Sequence, residues 1–361
     1  MKPNFKQPWI ASSPFDLTWI VGPPLLVSLA VICFPSFFQG QSSVSPLAWL
    51  ILVVGVDVSH VYSTLYRTYF DSKDYEQNRS LYNTIPIICW VVGVMLYSIH
   101  PLMFWSVLAY LAVFHFIRQQ YGFMMIYNRN QSLSSWEKNL DRAAIYISTL
   151  YPLIYWHTHL RNFHWMIDGD FLSLPMWINS VAATLYSLIL ILYLGKEIRI
   201  YVKDRYFNLP KNLLIIGTAL SWYLGIVRYN SDMAFTFTNV LAHGIPYIAL
   251  IWFYGRKKHK ASTESFAKLF QPALLGVFIF ILMGLAYFEE GLWDALVWKD
   301  HSEYFSVFQW LPSFKDPTTL SWIVPLLAVP QATHYVLDGF IWRFRKENSQ
   351  AKAILFGSAN R

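Results

Sequence analysis

Ten apolar segments of bilayer-crossing length recur along the chain, at approximately 16–38, 45–66, 82–99, 101–127, 141–157, 175–195, 211–228, 233–254, 270–288 and 319–342. A hydrocarbon layer about 30 Å thick takes about 20 helical residues to cross. Backbone polar groups find no water there, so a continuous apolar run satisfies them by coiling into a helix. The fold class that follows is all-α: a polytopic membrane helix bundle of about ten transmembrane helices, forming one domain over residues 1–361. Composition agrees, since hydrophobic residues make up 55% and charged ones only 14%, where soluble domains carry about 25% charged residues. The 16 Trp and 23 Tyr suit a protein with many membrane–water boundaries, at which amphipathic rings settle.

Basic residues sort by side. With the N-terminus inside, 23 Lys and Arg fall on the inner side and 4 on the outer, with Arg118 left within a helix. A missed or invented helix would scramble that alternation, so the charge bias supports ten crossings with both termini cytoplasmic, in a bacterial inner membrane. The formal charge of +7 is this loop bias and not a nucleic-acid footprint. Cys33 and Cys89 fall inside spans, which disfavours a disulfide or a thiolate metal site. The N-terminal stretch lacks an apolar core followed by a small-residue cleavage site, so the first span is expected to remain as the first helix. Most connections are short, which makes sequence neighbours antiparallel partners. The exception, 289–318, is rich in aromatics and carboxylates and reads as an outer interfacial loop, with a plain packed loop as the alternative.

Ionisable groups within the spans are few, and each costs about 2.5–3.5 kcal/mol to insert. The second segment carries DVSH, with Asp57 and His60; the fourth carries FHFIRQQYGF, with His115, Arg118 and Gln119. The eighth has NVLAH, with Asn239 and His243, and the tenth has THYVLD, with His334 and Asp338. Each histidine thus has an Asp, Gln or Asn one turn away on its own helix face. All four segments are even-numbered and run in the same direction. Counting 1.5 Å per residue from the inner basic anchors places His60 about 10 Å, His334 about 13 Å, and His115 and His243 about 20 Å into the layer. Helix tilt closes a spread of that size.

A hydrogen bond to a neighbouring helix accounts for any one buried histidine; four at overlapping depth point to a shared metal or cofactor. Imidazole and carboxylate without thiolate suit iron, zinc, copper or manganese, and carboxylate–histidine pairs on inward helix faces build the sites of di-iron bundles. The expected ligands are His60, His115, His243 and His334, with Asp57 and Asp338 either ligating or orienting the rings from behind. Iron is the expected metal, and zinc or another divalent ion the alternative. Arg118 is expected to balance Asp57 or Asp338, or to hold a substrate carboxylate. Gln119 and Asn239 read as interhelical hydrogen-bonding groups, and Tyr121 and Tyr335 as packing. A second cluster, WHTHLRNFHW, holds His157, His159 and His164 and is followed by Asp168 and Asp170. It reads as interfacial polarity or, alternatively, a surface metal site. His100, His259 and His301 read as loop or interface residues.

On DVSH, FHFIRQQYG and THYVLD the chain resembles the histidine-rich integral-membrane iron oxygenases, and among them the bacterial membrane β-carotene dioxygenases, whose histidines are likewise scattered over several helices. It departs from that group in carrying one histidine per site helix, and it has no HxxxH or HxxHH box of the membrane desaturases and hydroxylases. The function expected from the residues and the resemblance together is a membrane-embedded non-haem iron oxygenase. It would take an apolar, lipid-like substrate from the bilayer and draw on an electron donor, with Asp57, Arg118 and Asp338 beside the reaction. Two other classes compete: an electron-transfer protein whose histidine pairs hold haem b, and a proton-coupled transporter with an Asp/His relay. Metal-free acyl transfer would leave three of the four histidines without a role.

Overall fold

The structure, a computed structural model, describes residues 6–39, 44–160, 169–342 and 349–357. In chain order its main helices are α1 (Ser13–Trp19), α2 (Gly22–Cys33), α3 (Pro46–Tyr66), α4 (Arg79–Ile99), α5 (Pro101–Tyr127) and α6 (Ser135–Thr158). They continue with α7 (Met176–Asp204), α8 (Leu209–Trp222, running on over Tyr223–Arg228), α9 (Asp232–Lys258), α10 (Pro272–Trp298), α11 (Pro317–Leu327) and α12 (Val329–Ile341). Among the described residues there is no strand.

All ten apolar segments are helical, and six to eight spans stand out by length and apolarity. Among the described residues six helices, α3, α4, α5, α7, α9 and α10, are long and apolar enough, and eight if the bent pairs α1–α2 and α11–α12 each count as one span. The other two segments lie in α6, which opens on Glu137, Lys138, Asp141 and Arg142, and in α8, which carries Lys211 near its start. Those charges lower the apolarity that their later turns supply. The single last helix expected over 319–342 is broken at Ala328, with a 42° bend. Pro325 and Pro330 flank the break, each lacking an N–H and crowding the preceding turn. The α1–α2 bend of 46° passes through Gly22, where a Cβ would sit 2.0 Å from the Leu17 carbonyl oxygen.

The single domain expected from the sequence divides into two compact units, residues 1–44 with 116–246, and residues 45–115 with 247–361. In the first, α6 packs on both α7 and α8, and α8 packs on α2. Asp16, fully buried, accepts the N–H groups of Ile10 (2.6 Å) and Ala11 (3.0 Å) and the Tyr127 hydroxyl (3.0 Å), which anchors the chain leading into α1. Lys196 and Lys211 are not the solvated inner-loop charges expected of them. Their side chains are fully buried in an ion network with Asp141 and Glu197. Counting basic residues by segment treats each as facing water, and so it misses acids supplied by neighbouring helices.

In the second unit α10 lies against α3, and α4 against α11 and α12. Arg67, another expected anchor, is buried between the rings of Tyr254 (4.0 Å) and Trp342 (4.2 Å). The segment 289–318 is not loop throughout: its first ten residues complete α10, which ends at Trp298. Asp294 accepts the His301 N–H (2.7 Å) and the Gln309 amide (2.8 Å), and Phe305 is buried.

Asp71, in the connection after α3, pairs with Lys258 (2.8 Å) and His259 (2.9 Å) and accepts the Asp74 N–H (3.1 Å). Burial works against its charge, but these donors outweigh it and hold the carboxyl below the usual carboxylate range. A depressed acid contributes stability that is complete above its unfolded value, about pH 4, and is lost as pH falls toward the folded one. Acid unfolding of detergent-purified protein, followed by tryptophan fluorescence below about pH 4, is therefore expected to be less steep in Asp71→Asn than in wild type. Parallel acid limbs would show that the pairing contributes nothing.

Candidate metal centre

Three of the four intramembrane histidines come from the second unit: His60 on α3, His115 on α5 and His334 on α12, all buried. Their ring centroids lie 4.5 Å (His115–His334), 4.9 Å (His60–His334) and 6.2 Å (His60–His115) apart, and the Nε2 atoms of His115 and His334 are separated by 3.0 Å. Behind the rings stand oxygen atoms. Nδ1 of His334 meets the Thr64 hydroxyl at 2.7 Å, Nδ1 of His115 faces Asp338 at 3.5 Å, and Nδ1 of His60 faces Asp57 at 3.5 Å. Thr64 and Asp338 are themselves joined through Tyr247, whose hydroxyl lies 3.0 Å from Thr64 and donates to Asp338. An imidazole fixed through Nδ1 presents Nε2 in a set direction, which is how ligating histidines are oriented.

His243 belongs to the first unit, where its ring stacks on Phe116 (3.8 Å, 15°) and its carbonyl accepts the Gln119 amide (2.9 Å). His60, His115 and His334 thus form a buried group within the second unit, and His243 is buried in the first. Two nitrogens bound at a right angle to one ion at about 2.1 Å stand about 3 Å apart, matching the 3.0 Å between His115 and His334. The donor set is therefore suited to a borderline transition-metal ion. Local backbone contributes to the placement. A π-helical stretch, Leu50–Val58, precedes His60, and another, Thr236–Val240, precedes His243. The wider turn rotates the side chains that follow it, and such turns concentrate at functional sites.

The remaining expected residues divide. Asp57 and Asp338 stand at the orienting position behind the rings. Arg118 does not pair with either: it is exposed, donates to the Tyr146 hydroxyl (2.7 Å) and lies over the Tyr121 ring (4.9 Å). The stacked pair Tyr121–Tyr146 (5.3 Å), between α5 and α6, receives its guanidinium. Gln119 makes the expected interhelical bond to His243, whereas Asn239 bonds within its own helix, to Phe235 (3.3 Å) and Thr238 (3.1 Å). Tyr335 lies against the His115 ring at 5.1 Å and so borders the site. His157 and His159 bond carbonyls of their own helix, Leu153 (2.6 Å) and Tyr155 (3.0 Å); His164 and Asp168 lie outside the described residues. Thr64 and Tyr247 were not expected, although each lies one turn after a site histidine, His60 and His243.

No family model, no curated protein and no solved structure matches the chain. The site's own geometry carries what is said of its chemistry.

Proposed function

We propose that the protein is a membrane-embedded, metal-dependent oxygenase acting on an apolar, lipid-like substrate, with iron held by His60, His115, His243 and His334. The observation that carries this reading is the convergence of three buried imidazoles in the second unit, His60, His115 and His334, each facing an oxygen atom at Nδ1. Neutral imidazoles leave an ion's charge uncompensated, and Asp57 and Asp338 supply the opposite charge from behind the rings. Bound there, iron would supply dioxygen activation. The chain's own part is to fix the rings through Thr64, Tyr247 and Asp338 and to exclude water from the reacting groups. In this reading both termini face the cytoplasm of a bacterial inner membrane, substrate arrives from the bilayer, and an electron donor serves turnover.

Metal analysis and an absorption spectrum of detergent-purified protein, followed by ¹⁸O₂ incubation with membrane lipids and carotenoids, test this reading. About one iron per chain, no Soret band and ¹⁸O in a lipid product are expected. A Soret band, or protein without metal, would overturn it.

A further inference from the structure

The first unit holds a second feature, which the metal centre does not use. Between α6, α7 and α8 lies a cavity of about 900 Å³, at the upper end of the usual range for small-molecule sites. Along α7 its wall runs from Ala183 to Tyr201, about 27 Å at helical rise, which is room for a long hydrocarbon chain laid parallel to the helix. The wall is mainly Leu, Ile, Ala and Tyr, and the residues at its lip, including Leu194, Ile198 and Ile216, are exposed. On a membrane-spanning helix that opening faces lipid.

One end of the cavity is polar. Glu197, Asn212 and Tyr193 line it, all buried. The donors there are already engaged: the Tyr193 hydroxyl donates to Asn212 Oδ1 (2.8 Å), and the Asn212 amide donates to Glu197 Oε2 (2.8 Å) and the Asn208 carbonyl (2.8 Å). Lys196 and Lys211, behind the wall, both reach Glu197 Oε1 at 2.6 Å. The lone pairs left over belong to the Glu197 carboxylate and the Asn212 amide oxygen, so this end accepts hydrogen bonds. Asp141 and Glu197 are balanced by the two lysines, so the network presents no net charge to draw in an ionic headgroup. A phospholipid head brings charge without matching it, and a ketone or quinone brings acceptors to acceptors. A hydroxyl fits.

We propose that this cavity binds a long-chain alcohol, its chain along α7 and its hydroxyl donating to Glu197 or Asn212. The assignment is independent of the metal centre. It is tested on the full chain in phosphatidylcholine nanodiscs with three photoactivatable probes that share one sixteen-carbon-type chain: the free alcohol, its methyl ether, and the chain carried on a phosphocholine lipid. The alcohol is expected to crosslink α7 and α8 between Ala183 and Tyr223. The ether, lacking the donor, is expected to label on the order of tenfold less, and the phosphocholine probe to leave this region unlabelled. Ala219→Trp, which fills the wall without touching the ion network, is expected to abolish alcohol labelling while leaving the thermal midpoint unchanged. Equal labelling by all three probes would mean that bulk lipid fills the cavity and would overturn the proposal. So would undiminished labelling of Ala219→Trp; should that variant not fold, the alcohol-to-ether ratio on wild type decides.

Discussion

Replacement of His334 by alanine is expected to empty the proposed metal centre. Its ring is the shared neighbour of the other two histidines in the second unit, 4.5 Å from His115 and 4.9 Å from His60, and its Nε2 faces that of His115 at 3.0 Å. Losing a ligand outright costs more than losing an orienting partner, which typically weakens metal affinity 10–100-fold. His334→Ala should therefore lower iron affinity by more than about 100-fold, and Thr64→Val, which removes the hydroxyl at Nδ1, by about 10–100-fold. Iron retained after dialysis against a chelator of known affinity measures both. Arg118→Ala serves as the control, since Arg118 is engaged with Tyr121 and Tyr146 and should leave iron content unchanged. A His334→Ala protein that keeps its full complement of iron would end the metal-centre reading.

What made these histidines legible in the sequence is the cost of placing ionisable groups in lipid. Four such groups in four apolar spans needed a common cause, and depth counting from the basic anchors placed them at overlapping levels. The hydroxyls that fix the rings were not legible for the opposite reason. Thr64 and Tyr247 carry no charge, cost little to bury once bonded, and are common residues in a chain with 23 Tyr, so spacing of one turn from a histidine does not single them out. The π-helical turns ahead of His60 and His243 leave no pattern of residue types either. Helix positions were readable from apolar runs, yet charge counting failed where acid and base meet inside the fold. Lys196 and Lys211 looked, segment by segment, like loop charge, and their partners Asp141 and Glu197 come from α6 and α7. Arg67 likewise looked like an anchor, and only its aromatic partners, nearly two hundred residues or more away in sequence, show otherwise.

That ion network carries the second large effect. Lys211→Met is expected to destabilise the protein by about 3–5 kcal/mol, the usual cost of removing one partner from a buried pair, out of a total that is commonly 5–15 kcal/mol. Lys211 Nζ lies 2.6 Å from Glu197 and 3.5 Å from Asp141, with both side chains all but inaccessible. Without it Lys196 alone faces two carboxylates. In lipid, apolar surface gives helices little reason to associate, so packing and polar contacts hold them together; here one network draws on α6, α7 and α8 at once. If charge imbalance is the cause, Lys211→Met combined with Glu197→Gln should recover much of the loss, because Asp141 and Lys196 remain as a balanced pair. A double-mutant cycle on denaturant unfolding in mixed micelles measures this, with a coupling of about 0.5–3 kcal/mol expected. Additive losses would assign the effect to packing around the aliphatic stem of Lys211, and an unaffected single mutant would show that the three helices are held by other contacts.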